Sequence, residues 1–197
     1  MTMTEGVFDE VEVRGRRWIR TYYFTRAAFS VAWVVLAFTV ARDLPAVAAA
    51  MLVGYPAWDA VANVVDAQRS GGWRRNPAQA INAVVSAVTT AAVAVALGVD
   101  MFAVIGVFGV WASSSGLLQL AAAIRRWRTV GAQWAMALSG AQSALVGITF
   151  LVKANGSVPP GITDIAPYAA FGAFYFLVSA LWLVVSDRRR VSAADAG

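Results

Sequence analysis

Asp59 lies within the apolar run Leu44 to Val65, and Asp66 stands at its edge seven residues later. At about 100° per residue a helix brings both carboxyls to nearly one face, roughly 10 Å apart along its axis. Tyr55 and Asn63 flank that stripe, and Trp58 adjoins Asp59. An acid among aromatic rings is suited to the proton-initiated cyclisation of an isoprenoid. Asp59 would protonate an alkene or epoxide as general acid, with Asp66 as the second candidate acid. Asn63 would orient Asp59, and Tyr55, Trp58 and Trp111 would stabilise the carbocation through cation–π contacts. Water excluded by the surrounding helices could not quench that cation. The same acid could titrate in proton-coupled transport. It could equally be a structural group, hydrogen-bonded to Asn82 or Gln119. Asp66, three residues before Arg69, also suits an interfacial ion pair.

Polar residues on other apolar runs could converge on this stripe. Gln79, Asn82, Ser86 and Thr89 or Thr90 recur at helical spacing; Gln119, Gln142, Tyr168, Tyr175 and Ser179 follow. Of these, Asn82, Gln119, Gln142 and Tyr175 join Tyr55, Trp58 and Trp111 as candidate ligand-lining residues. Their ligand would be an apolar or prenylated small molecule with a polar head. Pro56 could kink its helix and open room for it. Side chains of this kind also hydrogen-bond between helices in lipid, at about 0.6 to 2 kcal/mol each, as plain structural glue.

The chain has no Cys and no His. Thiol nucleophiles, imidazole bases, disulfides, His-ligated haem and Cys/His zinc sites are therefore excluded. Asp59 and Asp66 do not make a compact aspartate-rich metal motif. Neither a metal nor another cofactor is expected.

The elements that must position these residues are six apolar runs: Tyr22 to Val40, Leu44 to Val65, Pro77 to Leu97, Met101 to Ile124, Gly131 to Val152 and Ile165 to Val185. Each approaches the roughly 20 residues that cross about 30 Å of hydrocarbon. The chain is 59% hydrophobic and 14% charged, with a mean hydropathy of +0.63, far too apolar for a soluble domain. Of its sixteen Lys and Arg residues, only Arg42 and Lys153 fall outside if both termini are cytoplasmic. The positive-inside rule then gives six spans and their direction. The net charge of +5 is topogenic and needs no nucleic acid; it also suits anionic membrane lipids. The oligomeric state is left open.

The expected fold is all-α: a polytopic membrane protein whose six transmembrane helices form three repeated helical hairpins. Residues 1–21 would be a basic amphipathic arm on the membrane surface, 22–186 the transmembrane domain and 187–197 a cytoplasmic tail. The first run reads as an uncleaved anchor, since Glu5, Asp9, Glu10 and Glu12 precede it. Outer turns fall at Ala41 to Asp43 and Gly98 to Asp100. The longer stretch Lys153 to Asp164 is expected to form an external cap, with Pro77 opening the third helix and Asn76 capping it. Trp18, Trp73, Trp127, Trp134 and Trp182 suit the interfacial belt; Trp33, Trp58 and Trp111 lie deeper. Superposing the runs ending at Arg69, Arg125 and Arg188 aligns Ala60, Gly116 and Ser179, with Tyr55, Trp111 and Phe174 five residues earlier. The acids are absent from the second and third copies. Those copies share one topology instead of an inverted one, and no broken helix pair is seen, which weighs against the transporter.

The stretch Trp111 to Arg126, W-A-S-S-S-G-L-L-Q-L-A-A-A-I-R-R, resembles the HdeD-like acid-resistance membrane proteins in its glycine, the Gln three residues later and its closing Arg pair. Ser139-Gly140-Ala-Gln-Ser-Ala-Leu-Val-Gly147 resembles that family's glycine-containing fifth helix. The resemblance implies a small bacterial six-helix protein of the inner membrane with a stress-associated role, without implying a catalytic residue. A lipid-facing, noncatalytic protein is thus the first expectation, an intramembrane terpene cyclase the second and a proton-coupled transporter the third.

Overall fold

A computed structural model describes the backbone of residues 3–69, 71–126 and 133–194, and the side chains of 17–69, 71–121, 124 and 137–189. Among the described residues the secondary structure is wholly helical: α1 (Met3–Leu36), a π-helical segment (Ala37–Ala41), α2 (Pro45–Arg69), α3 (Pro77–Ala96), α4 (Met101–Arg126), α5 (Gln133–Ala154) and α6 (Ile162–Ala194). All six α-helices contain a stretch long and apolar enough to cross a membrane. Large apolar side chains also cover their outer faces. Val84, Val88 and Val95 on α3, Leu145, Ile148 and Val152 on α5, and Leu181 and Trp182 on α6 are all exposed. So much outward apolar surface is unfavourable in water and ordinary in lipid.

The structure refines the expected elements in four places. α1 is helical without a break from Met3 to Leu36, so the residues expected to form the basic arm and those of the first span belong to one helix. The expected tail likewise continues α6 to Ala194. α5 reaches Ala154 and α6 begins at Ile162, leaving a shorter connection between them than expected. It is fastened by the Lys153–Asp164 ion pair and by the Gly161 N–H, which donates to Asp164 Oδ2 at 2.7 Å. Asn76 makes no side-chain cap on α3, although Pro77 opens that helix as expected. Its amide turns back to the preceding loop and donates to the Gly72 carbonyl at 3.1 Å. That loop closes α2 through Gly72 N–H to Ala67 O at 2.8 Å, with Gly71 and Gly72 at φ of 102° and 88°, a conformation that disfavours any side chain.

Gly131, the expected start of the fifth run, lies outside the described residues, as do Trp127, Arg128 and the end of the tail. So do the side chains of Arg14, Arg16, Arg125, Arg126, Trp134 and Arg190.

The chain forms two compact units, Met1–Val34 with Ala169–Gly197, and Val35–Tyr168. In the second unit α2 packs on α3, α3 on α4 and α4 on α5. Its core holds Leu52 from α2, Val93 from α3, Val104, Ile105 and Phe108 from α4, and Ile165 from the start of α6. α4 and α5 meet backbone to backbone. A Cβ on Gly116 would lie 2.6 Å from the Gly140 carbonyl oxygen, and one on Gly147 would lie 2.7 Å from that of Gly109. Only glycine permits this approach at these two crossings.

Candidate functional site

The buried stripe of α2 repeats every three or four residues: Leu52, Tyr55 with Pro56, Ala62 with Asn63, then Ala67. Asp59 and Asp66 fall on the same stripe and are half-buried. Opposite them α3 buries Ala83, Ser86, Thr89 and Val93. Asp59 Oδ2 accepts two hydrogen bonds, from Ser86 Oγ at 2.7 Å and from Asn63 Nδ2 at 2.9 Å. The Asn63 amide also donates to the Asp59 carbonyl one turn back, at 2.8 Å. Ser86 in turn accepts from Trp111 Nε1 of α4 at 3.1 Å. A hydroxyl has one proton, and the indole N–H can only donate, so the chain runs in one direction: Trp111 to Ser86 to Asp59. The carboxylate oxygen joins α2 to α3, and the Ser86 hydroxyl extends the chain to α4.

Trp111 is also the centre of an aromatic cluster. Tyr55, Phe108 and Tyr168 meet it edge to face at centroid distances of 5.8, 5.7 and 6.1 Å. Tyr168, at the start of α6, packs on Phe150 of α5 at 6.1 Å. The Tyr168 hydroxyl lies 3.2 Å from Ser143 Oγ, which donates its own proton to the Ala112 carbonyl at 3.0 Å. Tyr168 is therefore the donor to Ser143. Such aromatic edges add about 0.5 to 1.5 kcal/mol each beyond burial.

A second rung lies toward the α2–α3 loop. Gln79 Nε2 donates to Asp66 Oδ2 at 3.3 Å. Asp59 to Asp66 and Ser86 to Gln79 are both seven-residue steps taken in opposite chain directions, as antiparallel helices require. Asn63 and Asn82 each stand four residues from the first rung, toward the second. Asn82 does not take the expected place beside Asp59. Its Oδ1 is buried and has no hydrogen-bond partner among the described residues, while Ser86, one turn away, holds the acid.

The structure thus brings together Tyr55, Asp59, Asn63 and Trp111 of the expected set, with Asp66 on the second rung. Trp58 is half-buried on α2, Gln119 on α4 and Gln142 on α5. Tyr175 belongs to the other compact unit, where it packs against Phe174 at 5.6 Å. Ser86, Ser143 and Tyr168 are the residues that sequence reasoning undervalued. Their signal was present for Ser86 and Tyr168 in the helical spacing of polar residues. For Ser143 no comparable signal separates it from its small neighbours. Among the described residues no group of acids could hold a metal ion.

These features define a class: a multi-pass α-helical membrane protein with a hydrogen-bonded carboxyl in its second helix. No protein-family model, curated protein or solved structure matches the chain.

Proposed function

We propose that this chain is a noncatalytic, HdeD-like protein of a bacterial inner membrane, with both termini cytoplasmic and a lipid-facing, stress-associated role. Asp59 serves in it as an internal fastening group. The observation that carries this reading is the pair of bonds on Asp59 Oδ2 from Ser86 and Asn63, with Ser86 itself held by Trp111. The acid ties α2 to α3, and through Ser86 to α4, as a structural group. The glycines behind the family resemblance, Gly116, Gly140 and Gly147, are those at the α4–α5 contact, which gives that resemblance an architectural basis. Three related hairpins remain part of the proposal, supported by the meeting of Tyr55 and Trp111, equivalent residues of the first two copies.

A second reading, the intramembrane cyclase, draws on one specific observation: Tyr55 and Trp111 meet edge to face beside Ser86, the hydrogen-bond partner of Asp59. Two substitutions separate the readings. An Asn at 59 can accept both bonds through its single amide oxygen but cannot deliver a carboxyl proton. Fastening therefore predicts that Asp59→Asn melts close to wild type in detergent, while Asp59→Ala loses about 1 to 2 kcal/mol. Membranes holding either variant or wild type would then give the same mass spectrum after incubation with prenylated substrates. A cyclised isomer formed by wild type and not by a stable Asp59→Asn would replace fastening with catalysis.

A further inference from the structure

The first compact unit carries a set of cations unrelated to Asp59. Arg20 Nη1 lies 3.6 Å from Asp187 Oδ2, which places this part of α1 beside the later turns of α6. Tyr23 stacks on Phe176 at 6.1 Å, and the Arg26 guanidinium lies 4.4 Å from the centre of the same ring. Arg26 Nη1 also donates to the Tyr22 hydroxyl at 2.9 Å. Helical side chains lean toward the N-terminus, so Arg26 delivers its charge about one turn toward Arg20, although its backbone lies inside the span Arg17–Ala41. Trp18 extends the aromatic row, 6.0 Å from Tyr22. Arg17, Arg188 and Arg189 are exposed at this same end. Residues 17–26 and 182–189 together hold five guanidiniums and one carboxylate.

We propose that this end of the α1–α6 pair binds the phosphate of an anionic phospholipid. Arg17, Arg20, Arg188 and Arg189 form its rim, and Arg26 with Tyr22 supplies the innermost donors. Guanidinium groups engage phosphate oxygens in a paired, planar geometry, and the Phe176 ring fixes the plane of one of them. Trp18 and Tyr23 meet the glycerol and upper acyl region, the level at which amphipathic rings settle in a bilayer. A free phosphate would match the cations and leave the aromatic wall without a partner; a lipid matches both. This inference deepens the lipid-facing reading above and rests on its membrane-spanning helices.

The test is native mass spectrometry of the full chain in neutral detergent, titrated with phosphatidylglycerol or phosphatidylcholine of identical acyl chains. Wild type is expected to retain phosphatidylglycerol preferentially. Arg188→Gln with Arg189→Gln should weaken that retention by about fivefold for each charge removed, leaving phosphatidylcholine unchanged. Arg26→Lys, which keeps the charge and loses the planar stack on Phe176, should weaken it without altering folded yield. Millimolar inorganic phosphate should not displace the lipid. Equal retention of the two lipids by folded wild type would overturn the site, as would unchanged retention in the double variant or displacement by free phosphate. Alkaline extraction of the host membranes keeps the two failures apart. A chain that resists extraction without preferring the anionic lipid loses this site alone, and a chain released by alkali loses the membrane-spanning reading as well.

Discussion

The α2–α3 and α4–α5 pairs solve one problem with opposite chemistry. Both are antiparallel, and both repeat their principal contacts after seven residues: Asp59 with Ser86 and Asp66 with Gln79 in one pair, Gly109 with Gly147 and Gly116 with Gly140 in the other. Lipid supplies little hydrophobic drive between helices, so association there depends on close packing or on hydrogen bonds. The α4–α5 pair removes side chains until the backbones touch. The α2–α3 pair keeps side chains and gives its acids specific donors. The glycine contact has no room to adjust, whereas a hydrogen bond can be shared, replaced or hydrated. The two seams should therefore respond very differently to single-atom changes.

The largest expected effect is at the glycines. In Gly147→Val the new Cβ would lie 2.5 Å from the Ser113 backbone nitrogen and 2.2 Å from its hydroxyl oxygen. The hydroxyl can rotate away and the backbone cannot. We expect a loss of about 3 kcal/mol, near the top of the usual range for overpacking, read as a collapse of folded yield in detergent. Gly116→Ala should behave similarly, because its Cβ would meet the Ala144 nitrogen at 2.5 Å. Tolerance of both would mean that α4 and α5 pack less closely than described, and the contrast between the seams would disappear.

Next in size is Ser86, which is 1% exposed and serves as both donor and acceptor. Ser86→Ala removes two bonds together and should cost about 1 to 2 kcal/mol. Trp111→Phe removes only the indole donor from this chain, together with some ring contact. If Trp111 acts on the acid through Ser86, a thermodynamic cycle of the two substitutions should show coupling of about 0.6 kcal/mol. Strict additivity would reduce the relay to two independent contacts.

The two seams were unequally legible in the sequence. The spans were plain, because apolar runs of the right length between clusters of Arg leave few alternatives. Asp59 was equally plain, since an acid in such a run is costly wherever it points. Its partner was not. Asn82 and Gln119 are stronger donors on paper than a serine, and choosing among them requires the α2–α3 register. That register depends on how the Gly71–Gly72 turn closes α2, a backbone event that hydropathy does not record. Gly116 was visible as a small residue shared by the repeats, and Gly140 and Gly147 through the family resemblance, but not their pairing across α4 and α5, because seven-residue spacing suits several neighbours. Asn76 was misplaced for a similar reason: its side chain had a nearer acceptor in the loop than the helix it precedes.

The smallest expected effect comes from the second polar rung and sharpens the comparison within one seam. Gln79 and Asp66 are half-buried, and their bond is 3.3 Å long, against 2.7 Å between Ser86 and Asp59. They also lie nearer the α2–α3 loop, at the edge of the apolar run, where water can replace a lost donor. Gln79→Ala should therefore cost about 0.5 kcal/mol or less, below the cost of Ser86→Ala in the same unfolding assay. The ordering follows from depth and not from charge, since a carboxyl is the acceptor in both rungs. If Gln79→Ala proved the more damaging, the hold between α2 and α3 would lie at the loop end of the pair. Asp59 would then be left with too little structural work to account for an acid in the middle of a span, and the catalytic reading of it would gain accordingly.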